Sequence, residues 1–387
     1  MNIIIRVYIL LCISLLLFDI CFLLVQNQRS LVAYRTNRSL DKKVREEIEA
    51  HRKNGAFTAG FTDSLSQQLL KTKNLLTLQN IIENDAEARE WFRPCVFAQM
   101  ERYASKSDPE QAYYTYVLST FDFRREKPSA EFLDALLGFL NSKSLYTFAN
   151  TMICLYAIGQ TAPLMRALDK VNERKDFYHK KLLIDGLLSA QTEGDKFNAS
   201  LVEKFDSYTP YIQECLLDYF RFRGYDISDL CMRLLNNEKT DPQVGHSAMR
   251  YFSKHPTEAS RTYFLNILAD DTATWVQHLL SIQALRQYDD PVVYEAIFKK
   301  ITSSNWHVRF NAVEYVHSKG LSKEDIYNIL YLRDRYADEC LLYQYRGDKE
   351  MTRYIIDTIQ LLKMQDEAID ASSDTDSLCA AATAATV

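Results

Sequence analysis

Glycine and proline are scarce, at 10 and 8 in 387 residues, against the roughly 7% and 5% of average usage. So few breakers leave little punctuation for the tight hairpins of an all-β chain, and helix is favoured. A clustered basic face is also missing. The formal net charge of −5 argues against a nucleic-acid binder and leaves proteins as the expected partners. The eight cysteines form no C-x-x-C pair and no framework spacing, which excludes a disulfide scaffold and a paired-cysteine metal site. They read as reduced core thiols. There is no glycine-rich phosphate loop, no His-Glu-x-x-His and no Gly-x-Ser-x-Gly. No catalytic residue, cofactor or metal ligand is therefore expected, and the chain reads as a non-enzyme.

What is present begins with a long apolar run. Residues 7–25 (VYILLCISLLLFDICFLLV) carry one charge, Asp19, and match the roughly 20 apolar residues that cross a bilayer. The run exceeds the 7 to 15 residues of a signal-peptide core, and no small-x-small site follows it. It reads as a retained single span within a 1–28 anchor. Arg6 precedes it, whereas Arg29, Arg35, Arg38, Lys42, Lys43 and Arg45 follow, which places the C-terminal part in the cytoplasm. An extracytoplasmic domain follows if that asymmetry misleads. A carboxylate inside a span costs several kcal/mol unless it is paired, protonated or facing protein. Asp19 thus either docks on a polar group of another membrane protein or is tolerated by a shift in depth or by protonation. Residues 29–60 form a polar, basic linker with a helix from about Asp41, either attracted to anionic lipid or serving only as a topology signal.

From 61 to 365 amphipathic segments of helical period follow one another with short breaks. Ile212, Val244, Val276 and Val308 stand 32 positions apart, and Leu216, Ala248, Leu280 and Ala312 follow each by four. Tyr219, Tyr251 and Tyr315 share a column, as do Phe220, Phe252, Ala284 and Val316. A period of this length without strand signal predicts helix pairs that bury apolar faces on their neighbours. Asp108-Pro109, Thr209-Pro210, Asp241-Pro242 and Asp290-Pro291 read as caps before a first-turn proline, and Ser322 with Asp325 as a capping box. Second helices are expected to begin near Ile227, Thr257, Asp290 and Ser322. Earlier first helices are expected at 112–121, 149–159 and 178–188, and a closing helix at 343–365. The acidic stretch 366–387 reads as a disordered tail.

The segment from Asn305 to Ala312 resembles a HEAT repeat, with Val308, Arg309 and Ala312 matching the family's Val-Arg-x-x-Ala core. The resemblance covers 209–336. It is degenerate elsewhere, because Gln213, Gly245 and Gln277 replace the arginine and Leu216 and Leu280 the alanine. It implies an all-α fold, a right-handed α-solenoid, and the role of adaptor or scaffold; a plain helical bundle or a TPR-like array is the alternative for the upstream part. It also implies that Arg309 pairs with acidic residues at helix ends rather than binding an acidic ligand. A span followed by such repeats resembles bacterial membrane-anchored proteins of unassigned function, which implies a partner among cell-envelope enzymes such as polysaccharide glycosyltransferases. The other reading is an enzyme or regulatory enzyme subunit of envelope metabolism with its site on the concave surface. His246 and His278 hold one repeat position and read as two surface histidines brought together by repetition, or as a shared metal or anion site. Asp19, His246, His278 and Arg309 are the candidate partner-binding residues.

Overall fold

The computed structural model describes residues 11, 14–16, 18, 38–123, 128–174 and 178–384, with side chains through 367. Asp19 and most of the expected span lie outside them. Among the described residues no helix is long and apolar enough to cross a membrane. Every regular element described is a helix, and the chain folds as two compact units, Met1–Leu201 and Val202–Val387.

The N-terminal unit holds α1 (38–54), α2 (Phe61–Gln68), α3 (Thr72–Ile82), α4 (Ala86–Phe97), α5 (Met100–Ala104), α6 (Asp108–Ser119), α7 (Ala130–Gly138), α8 (Leu145–Ile158), α9 (Thr161–Glu173), α10 (Lys180–Ser189) and the start of α11 (Asp195–Lys204). The helix foreseen from Asp41 is present, and one face of it packs on the unit. Leu40, Val44 and Ile48 are buried, Arg52 pairs with Asp85 at 2.6 Å, and the His51 ring lies tilted against Trp91 at 4.1 Å. The linker's amphipathic stripe thus caps the unit instead of standing in water. Helix α6 packs on α8 and α8 on α10, while α7 packs on α9; α6, α8 and α10 overlap the three segments expected at 112–121, 149–159 and 178–188. One cap moves: α6 starts at Asp108, with Ser107 as N-cap and Pro109 in its first turn.

The C-terminal unit is an array of pairs: α12 (Pro210–Arg223) with α13 (Ser228–Leu235), α14 (Pro242–Tyr251) with α15 (Glu258–Ala269), α16 (Trp275–Leu285) with α17 (Pro291–Phe298), α18 (Trp306–Ser318) with α19 (Lys323–Tyr331), and α20 (Arg335–Gln344) with α21 (Lys349–Ala384). Each first helix packs on the next, through α12, α14, α16, α18 and α20. Second helices follow Ile227, Thr257, Asp290 and Ser322, the four positions read from the sequence. Local chemistry explains why. Asp241 and Asp290 accept from the first free backbone N–H groups, and Ser322 with Asp325 closes a capping box, leaving fewer donors unmet.

Two expectations change at the C-terminal end. The sequence placed one closing helix at 343–365; the chain instead forms α20 and α21, divided near Gly347, and α20 stacks on α18 as a fifth first helix. Helix α21 also runs past Gln365 to Ala384 across the stretch assigned to a tail. No glycine or proline follows Gly347, and the alanine-rich end has high helix propensity.

Tyrosine hydroxyls tie down several inter-helix loops. Tyr251 is fully buried; its hydroxyl donates to the Tyr225 carbonyl at 3.2 Å and accepts from the Ile227 N–H at 3.1 Å, fastening the preceding inter-helix loop. Tyr288 donates to the Thr257 carbonyl at 2.7 Å in the next pair, and Tyr103 to Leu69 at 2.8 Å in the N-terminal unit. Each hydroxyl satisfies loop groups that burial would otherwise leave unpaired. Cys95, Cys154, Cys215, Cys231 and Cys340 are buried thiols, and burial pushes the Cys154 and Cys231 thiols well above their ordinary range.

Candidate partner-binding surface

Seven of the eight ladder residues are buried; Val276 is only half-buried. Caps explain the exception. Ile212, Val244 and Val308 follow their N-caps Thr209, Asp241 and Asn305 by three residues, whereas Val276 follows Thr274 by two. Helix α16 is out of register with its neighbours by one residue, about 100° of rotation. His246 and His278 therefore do not share a structural position. His278 is buried with Nε2 3.0 Å from the Asp270 carbonyl, while His246 lines a cleft of about 530 Å³ beside Met249, Tyr263 and Trp275. Burial first, then the Arg250 charge, lowers the His246 pKa, so its ring resists a second proton. Among the described residues no group of three His, Cys, Asp or Glu is arranged to hold a metal ion.

Arg309 is buried, and the contact seen differs from the expected acidic partner. Its guanidinium donates to the Ser303 carbonyl and lies over the Tyr336 ring at 4.9 Å. It ties the loop before α18 to α20. Ion pairs between successive pairs are made instead by Arg286 with Glu314 at 2.5 Å and Lys319 with Asp289 at 2.9 Å, and by Arg261 with Asp290.

The surface that the sequence did not point to is aromatic. Thr274 and Asn305 cap α16 and α18, which places Trp275 and Trp306 at the first helical position, where a side chain stands clear of the next turn. They are 46% and 54% exposed. The His307 ring bridges them, 5.5 Å from Trp275 and 5.1 Å from Trp306. The row continues through Phe310, stacked 5.0 Å from Trp306, to Tyr343 at 5.5 Å and the Arg346 guanidinium 4.4 Å over Tyr343. It crosses three successive first helices. Large exposed aromatics in a contiguous row are informative where scattered ones are not. The available signal was two tryptophans 31 residues apart, each directly after a capping residue.

A second feature lies between α20 and α21, a cleft of about 400 Å³ lined by both charged and apolar side chains. Arg333 pairs with Asp366 and Arg335 with Glu339, each at 2.9 Å. Asp338 keeps a buried Oδ1 without a hydrogen-bond partner. Burial, with Asp334 and Glu339 adding to it and Lys363 and Arg333 opposing it, raises the Asp338 pKa from 3.8 to about 6. Between those values the folded chain keeps a proton that the unfolded chain has lost, so stability falls as pH rises through the window and levels off above it. Asp338→Asn should therefore raise the denaturant midpoint at about pH 8 and lose that advantage by about pH 4. An equal gain at both values would mean that the carboxylate is not desolvated.

In the N-terminal unit a further hollow of about 730 Å³ opens beside α8 and α10, with Ile153 and Leu182 exposed at its edge. No family model, curated protein or solved structure matches the chain. The functional reading rests on the side chains themselves.

Proposed function

We propose that the protein is an adaptor whose HEAT-like helical array docks a protein partner on the aromatic row of α16, α18 and α20. In this reading the array is a right-handed α-solenoid, and residues 7–25 hold it at the membrane with the array in the cytoplasm. A cell-envelope enzyme such as a glycosyltransferase is the partner that the resemblance implies. The supporting observation is the pair of half-exposed tryptophans, Trp275 and Trp306, joined through His307 and extended by Phe310, Tyr343 and Arg346. Tryptophan, tyrosine and arginine dominate binding hot spots, and one such anchor carries at least about 2 kcal/mol, or roughly 30-fold in affinity. Neither tryptophan is needed for the core.

The test compares the full chain, the Trp275→Ala/Trp306→Ala variant and a chain lacking residues 1–28 by crosslinking, detergent pull-down and quantitative mass spectrometry. A defined partner should come down with the first and third and drop by at least about 30-fold with the double variant, whose unfolding midpoint stays unchanged. Undiminished recovery with the double variant would remove the aromatic row as the docking face. Loss with the truncated chain alone would move recognition to the span and Asp19.

A further inference from the structure

The cleft between α20 and α21 has a charge arrangement that its own ion pairs do not exhaust. Once Arg333 is on Asp366 and Arg335 on Glu339, one acid and one base remain on its walls, Asp338 and Lys363. Asp338 lines this space and keeps one buried carboxylate oxygen without a hydrogen-bond partner, and Lys363 makes no ion pair with a described residue. The floor between them is aliphatic, made by Leu330, Leu342, Ile359 and Leu362. The turn into the cleft is unusual as well. Arg333 adopts φ +56°, in the left-handed region that glycine fills after α12 at Gly224. A side chain held there at a conformational cost keeps its guanidinium on the rim.

A bare anion would meet Asp338 and a bare cation would meet Lys363 and Arg333. A ligand with both charges and an apolar body meets a complement at each point, its ammonium offsetting the cost of the part-buried Asp338 carboxylate. The volume of about 400 Å³ lies at the small end of ligand pockets, which run from about 300 to 1,000 Å³. We propose that this cleft binds a free aliphatic α-amino acid, its ammonium on Asp338, its carboxylate on Lys363 and its side chain over Leu342, Ile359 and Leu362. The cleft and the aromatic row are built from different side chains, so this site and the docking face stand or fall separately.

Isothermal titration of the full chain with L-leucine tests the assignment. A saturable heat with a Kd of about 1 mM or tighter is expected. N-Acetyl-L-leucine, which lacks the ammonium, should bind at least about tenfold more weakly, and Asp338→Asn should weaken L-leucine by a similar factor. Lys363→Met, at an exposed position that cannot unfold the core, should weaken L-leucine while sparing L-leucinamide, which has no carboxylate. No heat with L-leucine, equal binding of its N-acetyl form, or undiminished binding by either variant would overturn the proposal. Tighter binding of the tripeptide Leu-Gly-Gly than of leucine would also overturn it, by making the ligand a peptide N-terminus.

Discussion

Gly159→Ala should destabilise the N-terminal unit by about 2–5 kcal/mol, in chemical denaturation followed by circular dichroism. Gly159 is the C-cap of α8, at φ +68°, and a Cβ there would overlap the backbone carbonyl of Gln191 beyond α10. Two costs add. The left-handed backbone costs a residue with Cβ about 1–2 kcal/mol, and overpacking against a backbone atom costs about 1–3 more, since the carbonyl cannot swing away as a side chain can. Gly224 supplies the control. It ends α12 at φ +77° with open space around it, so Gly224→Ala should cost only the backbone share, about 1–2 kcal/mol. Equal costs at the two sites would show that Gln191 yields. Gly186 in α10 belongs to the same contact, because a Cβ there would overlap the buried Tyr156 ring. These two glycines let α8 and α10 approach as closely as they do beside the 730 Å³ hollow.

Helix starts were readable in the sequence because caps are local chemistry. Thr257, Asp290 and Ser322 each satisfy N–H groups two or three residues ahead, and no distant partner is required. The one-residue slip at α16 was hidden for a related reason. A repeat counted in residues cannot see that Thr274 and Gln277 close a capping box and start the helix a residue late relative to the ladder. That slip separates His246 from His278 and brings Trp275 against His307. Arg309 was misplaced because its contacts, Ser303 and Tyr336, come from a loop and from the next first helix. The fifth pair has no clear sequence signature, because the exposed Tyr336 and the charged Arg335, Asp338 and Glu339 mask the buried seam of Ala337, Cys340 and Leu341. The charged cleft joins residues about 30 apart through a left-handed turn at Arg333, and neither the distance nor the turn has a local signature.

Phe252→Ala should cost the C-terminal unit about 3–5 kcal/mol, although alignment of the repeats makes it look mild. In a strict 32-residue count the column of Phe220 and Phe252 holds Ala284 and Val316, all of them buried, although the one-residue slip at α16 brings Leu285 rather than Ala284 to the matching place. A column of that kind reports that the position is interior without reporting its volume. At Phe252 the facing wall is aromatic: the ring meets Phe264 of the paired helix edge-on at 6.0 Å and Tyr251 at 5.4 Å. Removing it leaves a void that two large rings cannot fill without leaving their rotamers, so the transfer and cavity costs add. Tyr251 meanwhile holds the loop of the preceding pair through Tyr225 and Ile227, so motion into the void would disturb the neighbouring interface. In an array where each pair rests on the next, such a loss should also appear as faster hydrogen exchange in α12 and α13. A cost near 1 kcal/mol, with exchange in those helices unchanged, would mean that the wall collapses freely and that each pair in the array sets its own packing.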